Sequence, residues 1–167
     1  MKKIIGIAAC VTMVFLSGCT MSKSKDISIA FKELSYGVIS VGGTSVTEDD
    51  DDKSPSGNTV SHSKMSITEK TDTITGEIGR VFGVNFVLLS NINAYFPVTR
   101  RWTFPSKIGA PGGEQVGSVT REDGIVTNTK QWMYYTFEED YEIVKGKWVL
   151  QYFYKNQEIY KKTFVVQ

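Results

Sequence analysis

Apolar and polar residues alternate through much of this chain with the two-residue period of strands. Ile27, Ile29 and Phe31 alternate with Ser28, Ala30 and Lys32, so the larger side chains share one face of an extended segment. Tyr36 to Val41 reads as a second short extended run, closed by Gly42-Gly43, and Ser61 to Ile67 returns to a weak strand pattern. Gly76 and Gly79 punctuate a turn. Arg80 to Ser90 is apolar and β-branched, with Val81, Phe82, Val84, Phe86, Val87, Leu88 and Leu89, and predicts a strand near the centre of a core. Ile92, Ala94 and Phe96 alternate up to Pro97, and Arg100 to Phe104 is a further extended piece bounded by Pro105. In Val126 to Phe137 two faces separate cleanly: Trp132, Tyr134 and Thr136 on one, Met133, Tyr135 and Phe137 on the other. Glu138 to Glu142 is acidic and leads into a turn.

Gly146 to Tyr154 and Ile159 to Val166 predict a hairpin around the short turn 155–158, with Trp148, Leu150 and Tyr152 on one face. Ile159 lies an odd number of residues from Phe164. Both can point inward only across a bulge, expected near Lys161-Lys162, whose charges also guard an edge. No segment after the first 18 residues carries a 3.6-residue stripe, and there are no internal repeats. Several short strands with Gly and Pro between them predict an all-β, antiparallel sandwich or barrel over residues 27–167. Two stretches break the pattern. Thr44 to Ser63 contains Glu48-Asp49-Asp50-Asp51-Asp52-Lys53 and then Ser54-Pro55-Ser56-Gly57-Asn58, and predicts a mobile acidic loop. The Gly/Pro-rich stretch 105–117 predicts a second loop.

The amino-terminal segment follows a different logic. Lys2 and Lys3 precede an apolar run from Ile4 to Leu16, a length that fits a signal-peptide core and falls short of a bilayer span. It ends in Leu16-Ser17-Gly18-Cys19, which resembles a bacterial lipobox. That resemblance implies cleavage after residue 18 and lipidation of Cys19, with 1–18 a signal peptide and 19–26 a lipidated tether. At about 0.8 kcal/mol per buried methylene, several acyl chains hold a protein at a membrane almost permanently. Thr20, where an Asp would signal retention at the inner membrane, implies an outer-membrane anchor facing the periplasm in a diderm host. An ordinary secretory leader or an uncleaved helix is the plainer alternative.

Composition then narrows the chemistry. The chain has 167 residues, 19 Lys plus Arg and 18 Asp plus Glu, and loss of Lys2 and Lys3 with the leader takes its formal charge from +1 to −1. That gives no basic stripe for nucleic acid. Of two cysteines, Cys10 leaves with the leader and Cys19 is consumed by lipid, so no disulfide is expected. The single histidine, His62, has neither a second histidine nor a thiol for a metal set, and the expectation is an exposed, idle ring. The contiguous carboxylates Asp49 to Asp52 lack the alternate spacing of a calcium loop. Glu138, Glu139, Asp140 and Glu142 offer a carboxylate pair for glycoside chemistry, against the simpler reading of an acidic turn.

Arg100-Arg101-Trp102 is a candidate ligand-binding spot, since guanidinium and indole attract; a strand with Trp102 inward and both arginines outward accounts for the same residues. Trp132, Tyr134 and Tyr135 form a candidate aromatic platform for sugar rings or a protein anchor, against the alternative that they pack with Trp102 and Trp148 in the core.

The carboxy-terminal segment GKWVLQYFYKNQEIYKKTFVV, preceded by YEIVKG, resembles the end of the bacterial family DUF3859, as do LSYGVISV and IGRVFGVNFVLLS followed by AYFP. Gly83-Val84-Asn85-Phe86 and Phe96-Pro97 are the matching points. The resemblance covers roughly residues 27–167, with the acidic loop 48–53 as an insertion. It implies an immunoglobulin-like β-sandwich and supplies no activity, cofactor or catalytic residue. The expectation is therefore a lipid-anchored envelope module that acts by binding rather than catalysis, without cofactor. Its partners are the membrane and an envelope protein, and not nucleic acid. A small carbohydrate-active enzyme using acidic residues and a structural or chaperone-like envelope lipoprotein are the alternatives.

Overall fold

A computed structural model describes residues 27–48, 55–56 and 58–167. The lipobox Leu16, Ser17, Gly18 and Cys19, the tether and Asp49 to Asp52 lie outside the described residues.

The strands build two facing sheets. Sheet A has the order β2-β1-β4-β7, with β1 Ile29–Glu48, β2 Asn58–Glu69, β4 Val81–Ser90 and β7 Lys130–Thr136. Sheet B has the order β3-β9-β8-β5-β6, with β3 Thr73–Ile74, β5 Tyr95–Ile108, β6 Val116–Val126, β8 Gly146–Tyr154 and β9 Gln157–Val166. All pairings are antiparallel except the two-residue β3, which runs parallel to β9. The core lies between the sheets, where the alternation in β4 puts Phe82, Val84, Phe86 and Leu88 against Trp102, Trp148, Leu150, Tyr152 and Phe164. Phe82 is the hub, with rings of Trp102, Phe137, Trp148 and Phe164 within 5.2 to 6.1 Å. The Trp148 indole N–H, fully buried, donates to the Val144 carbonyl at 2.8 Å, which removes the cost of burying an unpaired donor.

Several sequence expectations are corrected. Residues 29–48 form one 20-residue strand rather than two. The first half of β1 pairs with β4, and from Val38 onward β1 pairs with β2 instead. The switch sits at Gly37, whose φ is +132° and where a Cβ would lie 1.9 Å from the Glu69 carbonyl oxygen. Only glycine lets the end of β2 cross so closely. The second half of β1 and β2 therefore form an arm, and residues 44–48 and 58–63, expected as loop, are strand. Thr44, Thr47, Thr59 and Val60 supply the β-branched content that the acidic run masked.

β5 runs through Pro97 and Pro105 as a single strand. Pro105 falls in the irregularity between Thr103 and Ile108, where ladder pairing is interrupted, and β8 pairs only with 99–103. Neither proline costs a central hydrogen bond there. The expected loop 105–117 shrinks accordingly, and β6 emerges from a polar stretch without a strong pattern. The hairpin bulge falls at Ile159, because Tyr152 pairs with Tyr160 and Phe153 with Glu158, and not at Lys161-Lys162.

Candidate functional site

The sandwich is open along the side where edge strand β7 of sheet A faces β5 and β6 of sheet B. A cleft of about 300 Å³ lies there. Its walls come from Trp132 to Thr136 on β7, Arg100 and Trp102 on β5, Val119 and Arg121 on β6, Glu138 and Glu142 beyond β7, and residues 55 and 58–61 of the arm. An edge strand explains the mixture, because side chains from both of its faces reach the free side. Tyr135 points inward, its ring 4.9 Å from Trp148 and 5.9 Å from Trp102. Trp132, Tyr134 and Thr136 belong to the other face and are half-buried.

On the sheet B wall, Arg100 shares the inward parity of Trp102 but stops at the rim of the core. Its Nε lies 3.3 Å from Asp123 Oδ2 and its terminal nitrogen 2.9 Å from Met133 Sδ. Burial raises the Asp123 carboxyl above its ordinary range, and Arg100 and Arg121 work against that rise.

The far end of the cleft is set by Glu142, one of two buried polar residues in the described chain. A 3-10 turn over Asp140–Glu142 brings its carboxylate back toward β7. Glu142 Oε1 accepts from the Tyr135 hydroxyl at 2.7 Å, and Oε2 accepts from the Glu138 and Glu139 backbone N–H groups at 2.7 and 3.0 Å. Desolvation raises the Glu142 carboxyl, and those three donors oppose the rise. The Tyr135 hydroxyl is pushed up well above its usual value, first by burial and then by Glu142. Glu138 is also raised by burial, with hydrogen bonds from Ser56 and Asn58 of the arm holding it back.

The arm closes the cleft from outside. The Tyr134 hydroxyl donates to the Val60 carbonyl at 3.0 Å, and the Tyr141 hydroxyl donates to Pro55 at 3.4 Å. His62 packs its ring 5.1 Å from that of Tyr134 and sets Nδ1 2.9 Å from Thr44 Oγ1. His62 is thus a half-buried spacer between arm and β7 rather than an exposed ring, and burial lowers its pKa. Its buried Nε2 and the buried Thr136 Oγ1 have no hydrogen-bond partner in the protein.

The candidate trio 100–102 is split. Arg100 and Trp102 face the cleft, while Arg101 points to the opposite face, over Phe153 at 5.2 Å. The arginines are therefore not both outward. Trp132 leaves the core and lines the cleft, whereas Trp102 and Trp148 pack inside. Glu138 and Glu142 meet at the cleft, while Glu139 and Asp140 are exposed. Arg121, Thr136 and Asn58 were not singled out by the sequence. Arg121 lies on β6, whose alternation is too polar to announce itself. Among the described residues no group of three His, Cys, Asp or Glu side chains is placed to hold a metal ion, and no helix is long and apolar enough to cross a membrane.

Two packed sheets with an aromatic core define an immunoglobulin-like β-sandwich. The fold resembles the crystal structure of an immunoglobulin-like protein from Pseudomonas aeruginosa, with TM-score 0.62 and 22% identity over 84% of this chain and 97% of that one. At that identity the likeness speaks for the fold alone. An alkylpurine DNA glycosylase from Pseudomonas fluorescens aligns over 57% of this chain and 28% of its own, at 10% identity and TM-score 0.37, too slight a likeness to bear on function. A comparison with curated proteins returns no match. The model of the domain of unknown function DUF3859 matches residues 28–166, and the chain belongs to that family.

Proposed function

We propose that this protein is a lipid-anchored binding module of the cell envelope, held through Cys19 and facing the periplasm from the outer membrane of a diderm host. The cleft beside β7 carries the binding part of the reading. It combines concavity, half-buried aromatic rings and a few placed polar groups, the usual make-up of a small-ligand site. The anchor part rests on the leader and on Leu16-Ser17-Gly18-Cys19. Tethering raises the effective concentration of the cleft toward anything on the same surface.

A second reading, a small carbohydrate-active enzyme, is favoured by one observation: Glu138 and Glu142 both line the cleft and both carboxyls are raised. Against it, Glu142 already accepts three hydrogen bonds from the protein, which fixes it as a cap rather than leaving it open to a leaving group. In the host, a fatty-acid probe should label the parent and not Cys19→Ser. A photo-crosslinker at position 132 should capture material that one at position 101 does not. Equal labelling removes the anchor, and equal capture removes the cleft. Release of reducing sugar from envelope glycans, abolished by Glu138→Gln, would establish the enzyme instead.

A further inference from the structure

We propose that the ligand of this cleft is a neutral saccharide of one or two rings; the inference rests on the cleft being the binding site. The first observation is charge. Arg100 and Arg121 on the sheet B wall face Glu138 and Glu142 at the other end, so the lining carries two guanidiniums and two carboxyls. Arg100 is further engaged by Asp123 at 3.3 Å. A phosphate or a uronate entering this space meets carboxylates, and a cation meets guanidiniums. Each is disfavoured by the group that it does not match.

The second observation is the aromatic wall. Trp132 and Tyr134, two residues apart on β7, stand on one face about 7 Å from each other, and both are half-buried. The Tyr134 hydroxyl is spent on Val60, so its ring is fixed beside Trp132. An indole presents an apolar face to a C–H surface, such as one side of a pyranose, and water leaves both on contact.

The third observation is Thr136 Oγ1, buried on the cleft wall without a hydrogen-bond partner. Buried hydroxyls rarely stay unpaired. A sugar hydroxyl both donates and accepts, so it can complete Thr136 and bridge the Glu138 carboxylate to a donor guanidinium in one ring. The volume, about 300 Å³, stands at the small end of ligand sites and excludes a long chain lying within it.

The full-length chain in detergent micelles, followed by the indole N–H signals of its three tryptophans, tests this. The probes are maltose and chitobiose as neutral sugars, digalacturonate as an acidic one, and trialanine as a zwitterion. We expect maltose or chitobiose to shift the Trp132 signal and leave Trp148 unmoved. Trp132→Ala, followed through the Trp102 signal on the same cleft, should weaken that binding about tenfold, and Thr136→Val about fivefold. Arg101→Gln, on the opposite face, should leave it unchanged. If digalacturonate or trialanine binds more tightly than both neutral sugars, the neutral-saccharide inference falls and the binding site stands. If no probe moves the Trp132 signal, the inference and the cleft as a binding site fall together.

Discussion

The Tyr134 hydroxyl donates to the carbonyl of Val60, 74 residues away in sequence, and this 3.0 Å bond joins the arm to the free edge of sheet A. The arm is a two-stranded extension with little core of its own, so its position depends on a few such contacts. Tyr134→Phe should lower global stability by only about 1 kcal/mol. It should nonetheless speed hydrogen exchange at the β2 amides near residue 60 far more than at β4. Equal acceleration in both strands would show the bond to be unimportant for the arm.

Glu142 predicts a large effect from one carboxylate. Glu142→Ala leaves the Tyr135 hydroxyl and two backbone N–H groups without an acceptor in a buried place, at a cost of about 3 kcal/mol or more. Glu142→Gln keeps an acceptor oxygen and should cost less. Denaturant midpoints order the three proteins.

The pH response follows from the same groups. Burial raises the carboxyls of Asp123, Glu138 and Glu142 in the folded state. The folded chain then holds more protons than the unfolded one just above the ordinary carboxyl range, so these groups lose stability as pH rises through their raised values. His62 acts oppositely: its lowered pKa makes stability fall as pH drops below about 6.5. Urea unfolding between pH 4.5 and 7 should give a flatter carboxyl contribution in Glu142→Gln, and His62→Gln should remove the acid-side loss. Unchanged slopes in both variants would overturn the assignment.

Backbone geometry separates two glycines. Gly37→Ala forces a Cβ against Glu69 at a positive φ, whereas Gly112, at φ +80°, has nothing within 4 Å of the added atom. Gly37→Ala should cost more than about 3 kcal/mol and disturb the arm, while Gly112→Ala should cost about 1 kcal/mol. Thermal unfolding distinguishes them.

In the core, Phe82→Ala removes the ring that touches Trp102, Phe137, Trp148 and Phe164, at about 3–5 kcal/mol. Trp132→Phe, at the cleft, should stay within about 1 kcal/mol. Comparable losses would mean that Trp132 is a core residue after all.

The strands with strong alternation or continuous apolar runs, β4, β7 and β8, were readable from residue order alone because burial on a fixed face dictates them. The C-terminal hairpin was readable too, apart from the place of its bulge, which depends on how Tyr152 meets Tyr160 across the ladder. The arm was hidden because half-buried positions merely alternate with exposed ones along β2, none of them fully buried, and an acidic run flanks it, so the pattern is too weak to mark a strand. The cleft was legible only in fragments. Arg100, Trp132, Glu138 and Glu142 each stood out, but periodicity along one strand says nothing about which strand of the other sheet lies opposite. Their meeting is a property of topology.

That topology also fixes where the two walls are joined. Arg121 on β6 and Trp132 on β7 belong to different sheets, yet only residues 127–129 separate the two strands. Thr127 is riveted at this corner, its hydroxyl donating to Ile92 at 2.7 Å and accepting from the Ala94 N–H at 2.9 Å. The corner is therefore the spine of a half-open book: its pages are bound at Thr127, while the fore-edge near Glu138 is clasped by Ser56 and Asn58 of the arm. The gap between the covers is thereby set from its ends rather than by anything lying in it.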